Sequence, residues 1–322
     1  MLAIKLETTD PHYNLAAEEY FLKNKDEDCF ILWQNAPAII VGKNQNTLSQ
    51  INYEKTKQLN IPVVRRMSGG GCVYHDLGNV NYTFIVEGGQ DDFLNFQKFT
   101  DPVIKTLNKM GVPACLSGRN DLLVEGKKFS GNAQYVYKNR VLHHGTLMFD
   151  MDISVLGEVL NVNPEKIASK GIDSVKSRVT NLKDYLPADY MLAQFIDDVL
   201  GSVENKTLYT LSDQDLFAIE KLKTEKYDTW EWNFGYSPKY SFTKQSYLPC
   251  GMVEIGLEIV DGIIKQVSIQ GDFFGRRDIA QFAQMLVGKQ HNEGQIGTVL
   301  DSVTLSDYFF GGERSQILTC FF

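Results

Sequence analysis

Short alternating runs of apolar and polar residues dominate the first half of the chain, and they predict many strands separated by few helices. The predicted strands lie at 2–6, 29–33, 38–41, 81–87, 114–116, 121–125, 127–137 and 141–150, with one more leading from Ile61 into a glycine run. Apolar residues at helical spacing predict helices at 13–24, 52–60, 92–110, 153–160 and 163–169. Strands and helices mix without a regular βαβ alternation, which is typical of the α+β class.

The second half changes character near Trp230. The predicted elements are helices over 188–226, an aromatic connector at 230–238, strands at 252–260 and 263–270, and helices at 277–287 and 292–302. Asp261-Gly262 between the two alternating runs is a strong hairpin signal. We therefore expect a large domain over 1–246 and a small α+β accessory domain over 247–322.

Composition narrows the class of protein. The 322 residues are 43% hydrophobic and 22% charged, with a net charge of -8. This charge argues against a protein that binds nucleic acid through a basic surface. The five scattered cysteines argue against a disulfide framework or a zinc site. Neither a secretory signal nor an 18-residue apolar stretch is visible, so we expect a cytoplasmic protein without a membrane partner.

The most informative segment runs from Arg65 to Asn79, where three glycines lie between an arginine pair and a His-Asp pair. By itself a glycine triplet is more often a tight turn between strands. Consecutive glycines are costly in backbone entropy on folding, however, and they are suited to a place where the backbone lies close to a ligand. Arg65 and Arg66 offer planar donors for phosphate or carboxylate, so the segment indicates an anionic ligand.

A second cluster runs from Gly118 to Asp121 and from Gly126 to Ala133. Adjacent residues of a strand face opposite sides, so Lys127 can be solvated while Lys128 faces inward. An inward lysine is expensive unless it is paired, which suggests an anionic partner. The alternative is a surface lysine pair beside a turn. Asp121 could hold a metal or cap a turn, and the sequence does not decide between them.

Two further clusters carry weaker signals. His143 and His144 are adjacent in a predicted strand, so they face opposite sides and cannot easily share one metal. A histidine beside Gly145 could line a pocket instead. The polar segment from Lys170 to Leu182 could close over a nucleotide, or it could be a solvated connection.

Together these four segments resemble the lipoate–protein ligase family. The matching strings are R-R-x-S-G-G-G-x-V-[FY]-H-D-x-G-N at Arg65 to Asn79, G-R-N-D and K-x-S-G-x-A at Gly118 to Asp121 and Lys128 to Ala133, H-H-G-T-L at His143 to Leu147, and K-G-I-x-S-V-x-S-R-V-T-N-L at Lys170 to Leu182. The helix around Asn14 also resembles the family's first helix. The resemblance covers the whole chain, including a small C-terminal domain that some members lack.

The resemblance implies the fold shared with biotin ligases, in which a curved mixed sheet carries flanking helices. It implies that lipoate and MgATP give lipoyl-AMP, and that a lysine of an E2 subunit or of the glycine-cleavage H protein then takes the lipoyl group. Lys128 is implied as the catalytic residue and Asp121 as a Mg²⁺ ligand. The implied binding residues are Arg66, Gly71, Cys72, Val73, Tyr74, His75, Asn79, Asp121, Lys128, His144, Gly145, Ser177, Arg178 and Val179.

Two alternatives stay open at this point. One is a cysteine-dependent octanoyl- or lipoyl-transferase of the same fold, which needs a thiolate in the pocket. Cys72 stands where relatives often have a small residue, and it is small and apolar enough to pack there. The other alternative is a non-catalytic protein that binds lipoyl domains. Loss of Lys128 would be its simplest sign, and Lys128 is present.

Overall fold

The structure is a computed structural model that describes residues 1–88, 95–118, 120–161, 179–237, 240–273 and 275–322. The chain divides into two compact units, Met1–Lys43 with Leu59–Thr229 and Asn44–Gln58 with Trp230–Phe322. The expected domain boundary at 246 falls inside a strand of the second unit, Tyr240–Leu248, which pairs along its length with the strand Gly251–Val260. The larger segment of the second unit begins at Trp230, the residue near which the composition changes.

The first unit is built on a mixed sheet of eight strands. In chain order the strands of this unit are β1 (Leu2–Lys5), β2 (Cys29–Trp33), β3 (Ala38–Val41), β4 (Val63–Arg65), β5 (Val73–His75), β6 (Asn79–Glu87), β7 (Ala114–Ser117), β8 (Asp121–Val124), β9 (Lys127–Tyr137), β10 (Arg140–Met148) and β11 (Thr207–Leu208). The large sheet has the order β11-β1-β2-β6-β10-β9-β8-β7, and β4-β3-β5 form a small second sheet. The strands predicted for this unit are confirmed, and among its described strands only the very short β5 and β11 were not anticipated.

Helices cover these sheets and complete both units. The described α-helices are α1 (Pro11–Asn24), α2 (Thr47–Gln50), α3 (Tyr53–Gln58), α4 (Phe96–Lys109), α5 (Ile153–Val159), α6 (Leu192–Gly201), α7 (Asp213–Leu222), α8 (Ile279–Leu286), α9 (Glu293–Asp301) and α10 (Arg314–Thr319). Asp10 begins α1 by accepting the backbone N–H of His12, with Pro11 in the first turn. The helix predicted at 163–169 lies outside the described residues. No described helix is long and apolar enough to cross a membrane.

The core of the first unit lies between β6, β9, β10 and the helices α4 and α6. Its apolar side chains come from every second position of the strands, as the alternation in the sequence predicted. Phe129 on β9 is completely buried there. The opposite face of β9 and β10 is free of this packing and carries the polar side chains of the segments singled out above.

The second unit has its own sheet and core. Its strands are β12 (Tyr240–Leu248), β13 (Gly251–Val260) and β14 (Ile263–Gly271), in the order β12-β13-β14. Asp261 and Gly262 have φ values of 50° and 71°, the left-handed pair that a two-residue hairpin requires. The predicted hairpin is thus confirmed. Helices α8, α9 and α10 pack on this sheet over an apolar core that includes Phe282 and Phe309.

Candidate functional site

A pocket of about 150 Å³ opens between the glycine run and the strands β9 and β10. We call it the central pocket. Its lining residues are Leu15, Trp33, Ile40, Arg66, Gly70, Gly71, Cys72, Val73, His75, Asn81, Asn120, Lys128, Gly131, Asn132, Ala133, His144, Gly145 and Thr146. Three of the four segments singled out in the sequence therefore contribute to one concave surface, together with residues from α1, β2, β3 and β6.

Arg66 holds the glycine run in place, and Arg65 is bonded to the loop after β3. The Arg66 guanidinium donates to the carbonyls of Gly69 and Gly71 and to the Ser68 hydroxyl. Burial lowers the pKa of Arg66 to about 10, so it stays charged at neutral pH. Arg65 is completely buried and donates to backbone carbonyls at Gly42 and Lys43. Both guanidinium groups thus donate to backbone carbonyls of the folded chain, and Arg66 also lines the central pocket, so its role as a ligand-binding residue stays a prediction.

The glycine run itself has one position that demands glycine. Gly70 has a φ of +92°, and a Cβ there would lie 2.9 Å from the Arg66 guanidinium. A Cβ on Gly69 or Gly71 would meet nothing within 4 Å. Of these two, Gly71 lines the central pocket, so it leaves bare backbone there that a ligand can approach closely.

A β-bulge turns Lys128 into the central pocket. Leu122 pairs with Ser130 but its neighbour Leu123 pairs with Lys128, so Phe129 is an extra residue in β9. Such a bulge changes the face on which the following side chains point. It sends Phe129 into the core while Lys128 shares the pocket side with Gly131. The expectation of an inward Lys128 beside an exposed Lys127 is confirmed.

The ammonium group of Lys128 has an anionic partner. Its Nζ lies 2.8 Å from Asp121 Oδ1, and both side chains keep about a third of their surface exposed, 37% and 33%. An ion pair of this exposure is weak, so a stronger anion can replace the Asp121 carboxylate. Among the described residues no group of three or more His, Cys, Asp or Glu could hold a metal ion alone. Mg²⁺ that is bound mainly by phosphates needs only one or two carboxylates, and Asp121 fits that requirement.

A hydrogen-bond chain that the sequence did not suggest ties α1 to the glycine run. The buried Glu18 carboxylate lies 2.9 Å from His144 Nδ1, and His144 Nε2 lies 2.6 Å from the Ser68 hydroxyl. Because a carboxylate only accepts, His144 donates to it from Nδ1. The Ser68 oxygen in turn accepts from Arg66. The resemblance of this chain to a serine nucleophile with its base is superficial, because Ser68 is completely buried.

The remaining histidines divide between the pocket and the core. His75 lines the pocket, and burial together with the positive charge of Arg66 lowers its pKa to about 3. Its Nδ1 contacts Asn35, while its buried Nε2 has no partner among the described residues. His143 stacks on Phe99 in the core, where burial lowers its pKa far below the ordinary value. The adjacent His143 and His144 therefore face opposite sides, as predicted.

Four predicted site residues lie outside the pocket lining. Tyr74 and Asn79 are buried in their strands, and Asp121 acts through Lys128. Val179 forms a bridge with Lys128, and the N–H of Thr180 donates to the Lys128 carbonyl. The described part of the polar segment, from Val179 to Leu182, thus begins next to the lysine. Ser177 and Arg178 lie outside the described residues.

Sequence reasoning missed two kinds of pocket residue. Leu15 and Trp33 belong to segments that were interpreted only as a helix and a strand. The sequence contains one sign of the role of Glu18, because a carboxylate three positions after Leu15 lies on the buried side of α1. Asn120 and Thr146 lie within the singled-out segments but were given no role.

Comparison with known proteins agrees with this geometry. Residues 10–204 match the family described as lipoyl protein ligase A/B catalytic domain, and residues 237–321 match the bacterial lipoate protein ligase C-terminus. Lipoate-protein ligase LplJ of Bacillus subtilis is 44% identical over 308 residues, covering 93% of this chain and 93% of that protein. Lipoate–protein ligase 1 of Staphylococcus aureus is 44% identical over 315 residues, covering 96% of each.

A solved structure from Thermoplasma acidophilum shows the same fold. It is described as a bipartite lipoate protein ligase and its E2 lipoyl domain. Its TM-score is 0.66 at 25% sequence identity, and the match covers 74% of this chain and 97% of that one. The α+β arrangement of a mixed sheet with flanking helices is therefore shared with this structure, while the small C-terminal domain is matched by the family model over residues 237–321.

Proposed function

The chain belongs to the lipoate–protein ligase family, and we propose that it activates lipoate with ATP and transfers the lipoyl group to a lysine of a lipoyl domain. One observation carries this proposal. The bulge in β9 aims the Lys128 ammonium into a narrow, partly apolar pocket beside Val179. A fixed cation in that place suits a reaction in which a carboxylate meets a phosphate.

In the first step, a carboxylate oxygen of lipoate attacks the α-phosphorus of ATP. The new bond joins carboxylate oxygen to phosphorus, the bond to the β-phosphate bridging oxygen breaks, and pyrophosphate leaves with the electron pair. Negative charge accumulates on the oxygens around the α-phosphorus. The Lys128 ammonium stabilises that charge as a compact point cation. Lys128 leaves Asp121 for this, because the ligand carries more charge than one partly exposed carboxylate.

In the second step, the neutral Nζ of the acceptor lysine attacks the carbonyl carbon of lipoyl-AMP. An amide bond forms, the bond from carbonyl carbon to phosphate oxygen breaks, and AMP leaves while the amine loses its proton to solvent. Lys128 again lies where the leaving phosphate gains charge. The acceptors we propose are E2 lipoyl domains and the glycine-cleavage H protein, in the cytoplasm.

The residues around Lys128 have two roles, since some contact the acyl chain and others contact the nucleotide. Val73, Cys72 and Leu15 offer an apolar lining for the lipoyl chain. Asp121 would hold Mg²⁺, which when bound neutralises phosphate charge and orients the leaving pyrophosphate. We propose that Val179 and Thr180, which lie against the Lys128 backbone, help to exclude water there, since a mixed anhydride must be protected from water.

The chemistry of Cys72 disfavours the transferase alternative. A transferase needs a thiolate at neutral pH. Burial raises the pKa of the Cys72 thiol to about 12, although the nearby guanidinium groups act in the opposite direction. Cys115 is exposed on β7 and does not line the central pocket. An activated carboxylate therefore fits this pocket better than a thioester on the protein.

The test uses the full chain with lipoate, MgATP and separate apo acceptor domains. We expect pyrophosphate release, and a mass increase of the acceptor that corresponds to one lipoyl amide. Lys128→Ala should abolish pyrophosphate release while the thermal midpoint stays within a few degrees. Lys127→Ala is the matched control, because Lys127 is the exposed neighbour on the same strand and should retain full activity. Near-normal pyrophosphate release by Lys128→Ala would contradict the mechanism.

A further inference from the structure

Gly131 on β9 stands in a conformation that does not require glycine. Its φ lies outside the left-handed region, unlike that of Gly70. Glycine within a strand weakens it, and it often marks a site of close approach. If the backbone does not require glycine at this position, the reason must lie in what a side chain would touch.

A side chain at this position would touch Lys128. A Cβ built on Gly131 lies 3.0 Å from Lys128 Nζ and 3.3 Å from Cε, and it meets nothing else within 4 Å. Gly131 pairs with Asp121 on β8, so the glycine lies directly beside the ion pair. The space above Gly131 is therefore the space that the end of the Lys128 side chain occupies.

We propose that Gly131 is a positioning residue of the reaction, since it leaves the room in which the Lys128 ammonium is held. The bulge at Phe129 turns Lys128 to the pocket face of β9, and Asp121 attracts its ammonium group. Because Gly131 has no side chain, the end of the Lys128 side chain can lie against β9. This inference rests on the proposed role of Lys128. A methyl group at 3.0 Å would push Nζ away by several tenths of an ångström and would replace a polar environment with an apolar one.

Gly131→Ala distinguishes a positioning role of Gly131 from a purely structural role, because the two roles predict different combinations of activity and thermal stability. The backbone accepts alanine without strain, so the thermal midpoint should stay unchanged or rise. The displaced ammonium should slow adenylate formation about tenfold or more, since errors of about 1 Å in a catalytic group cost about a hundredfold. KM for ATP should change less than kcat, because the change acts on a charge that develops during the reaction.

Gly256→Ala is the matched control. Gly256 is also an interior strand glycine, and a Cβ there lies 3.5 Å from Ser268, an ordinary contact. Activity and Lys128 chemistry should not change in this variant. A second measurement follows Lys128 directly, by the rate at which acetic anhydride acetylates its Nζ, read by mass spectrometry. We expect this rate to change at least twofold in Gly131→Ala relative to Lys127 of the same chain.

The outcomes separate this inference from the proposed function. A slower adenylate step, an unchanged or higher thermal midpoint and altered Lys128 acetylation support the positioning role. Activity within twofold of the original chain, or loss of activity together with a lower thermal midpoint, overturns it. If the original chain itself forms no lipoyl-AMP, the proposed function fails, and an unchanged acetylation rate of Lys128 in Gly131→Ala would then overturn the positioning role as well.

Discussion

Replacing Glu18 tests the hydrogen-bond chain that supports the central pocket. The Glu18 carboxylate is almost fully buried and accepts from two groups, the Thr83 hydroxyl at 2.6 Å and His144 Nδ1 at 2.9 Å. Glu18→Ala leaves both of these buried donors without their acceptor. We therefore expect the variant to lose stability and to bind lipoate more weakly.

The size of the effect follows from the unpaired donors. A buried donor that loses its partner costs about 1–3 kcal/mol, so the two donors together cost about 2–6 kcal/mol of unfolding free energy. Glu18→Gln keeps one oxygen in place and should cost less, about 1–2 kcal/mol. In Glu18→Ala the His144 ring is free to turn, and Ser68 then loses the partner that fixes it beside Arg66. KM for lipoate should rise at least several-fold as the glycine run loosens.

Urea unfolding and steady-state pyrophosphate release measure the two effects separately. Glu19→Ala is the matched control, because Glu19 is equally buried on the same helix but contacts Lys23, Lys226 and Tyr227 instead. That variant should also lose stability, yet its KM for lipoate should stay near the original value. An unchanged KM in Glu18→Ala would refute the link to the pocket. Unchanged stability would refute the hydrogen bonds themselves.

Three further predictions address other positions of the site. Gly145→Ala should destabilise the chain by about 1–3 kcal/mol in urea, because a Cβ there lies 2.1 Å from Asn132 Oδ1 and 2.6 Å from the Tyr82 ring; stability equal to the original would show that β10 can shift. His75 has a folded pKa of about 3, below its unfolded value, so unfolding takes up a proton as pH falls from 6.5 towards 3. Stability should fall by up to about 1.4 kcal/mol per pH unit in that window, and His75→Gln should make the fall shallower; an identical slope would be evidence against a neutral buried ring. Cys72→Ala should keep ligase activity within twofold, and loss of acyl transfer with normal stability would revive the thiolate mechanism.

Where polar and apolar side chains alternate along a strand, with one face in a core and the other in solvent, the bounds of the strand could be predicted almost to the residue. β9 and the hairpin around Gly262 are examples, because one face meets a core and the other meets solvent. β12 was missed because its open face carries Ser241, Thr243 and Gln245, while its inner face is only half buried. A strand with little burial on either face leaves a weak pattern, and a turn-rich composition near its start concealed it further.

The site could be predicted as a set of segments but not as an arrangement. Local motifs identified the glycine run, Lys128 and His144, because each contains residue types that are costly without a function. The contact between Glu18 and His144 spans 126 positions, and neither residue reveals its partner locally. The backbone acceptors of Arg65 and Arg66 could not be predicted for the same reason, since they are carbonyls of the folded chain at Gly42, Lys43, Gly69 and Gly71.

The expected inward orientation of Lys128 is correct, but the alternation of side chains along a strand does not by itself explain it. Strict alternation places Lys128 on one face of β9 together with Ser130, and it places Gly131 on the other face. In the structure Lys128 lies on the pocket side with Gly131, because Phe129 is an extra residue that reverses the alternation. The buried aromatic ring is thus as necessary to the site as the lysine, since it anchors the bulge in the core. A regular strand with the same residues would carry either Lys128 or Gly131 to the pocket, and the ammonium would lose the open position beside Asp121.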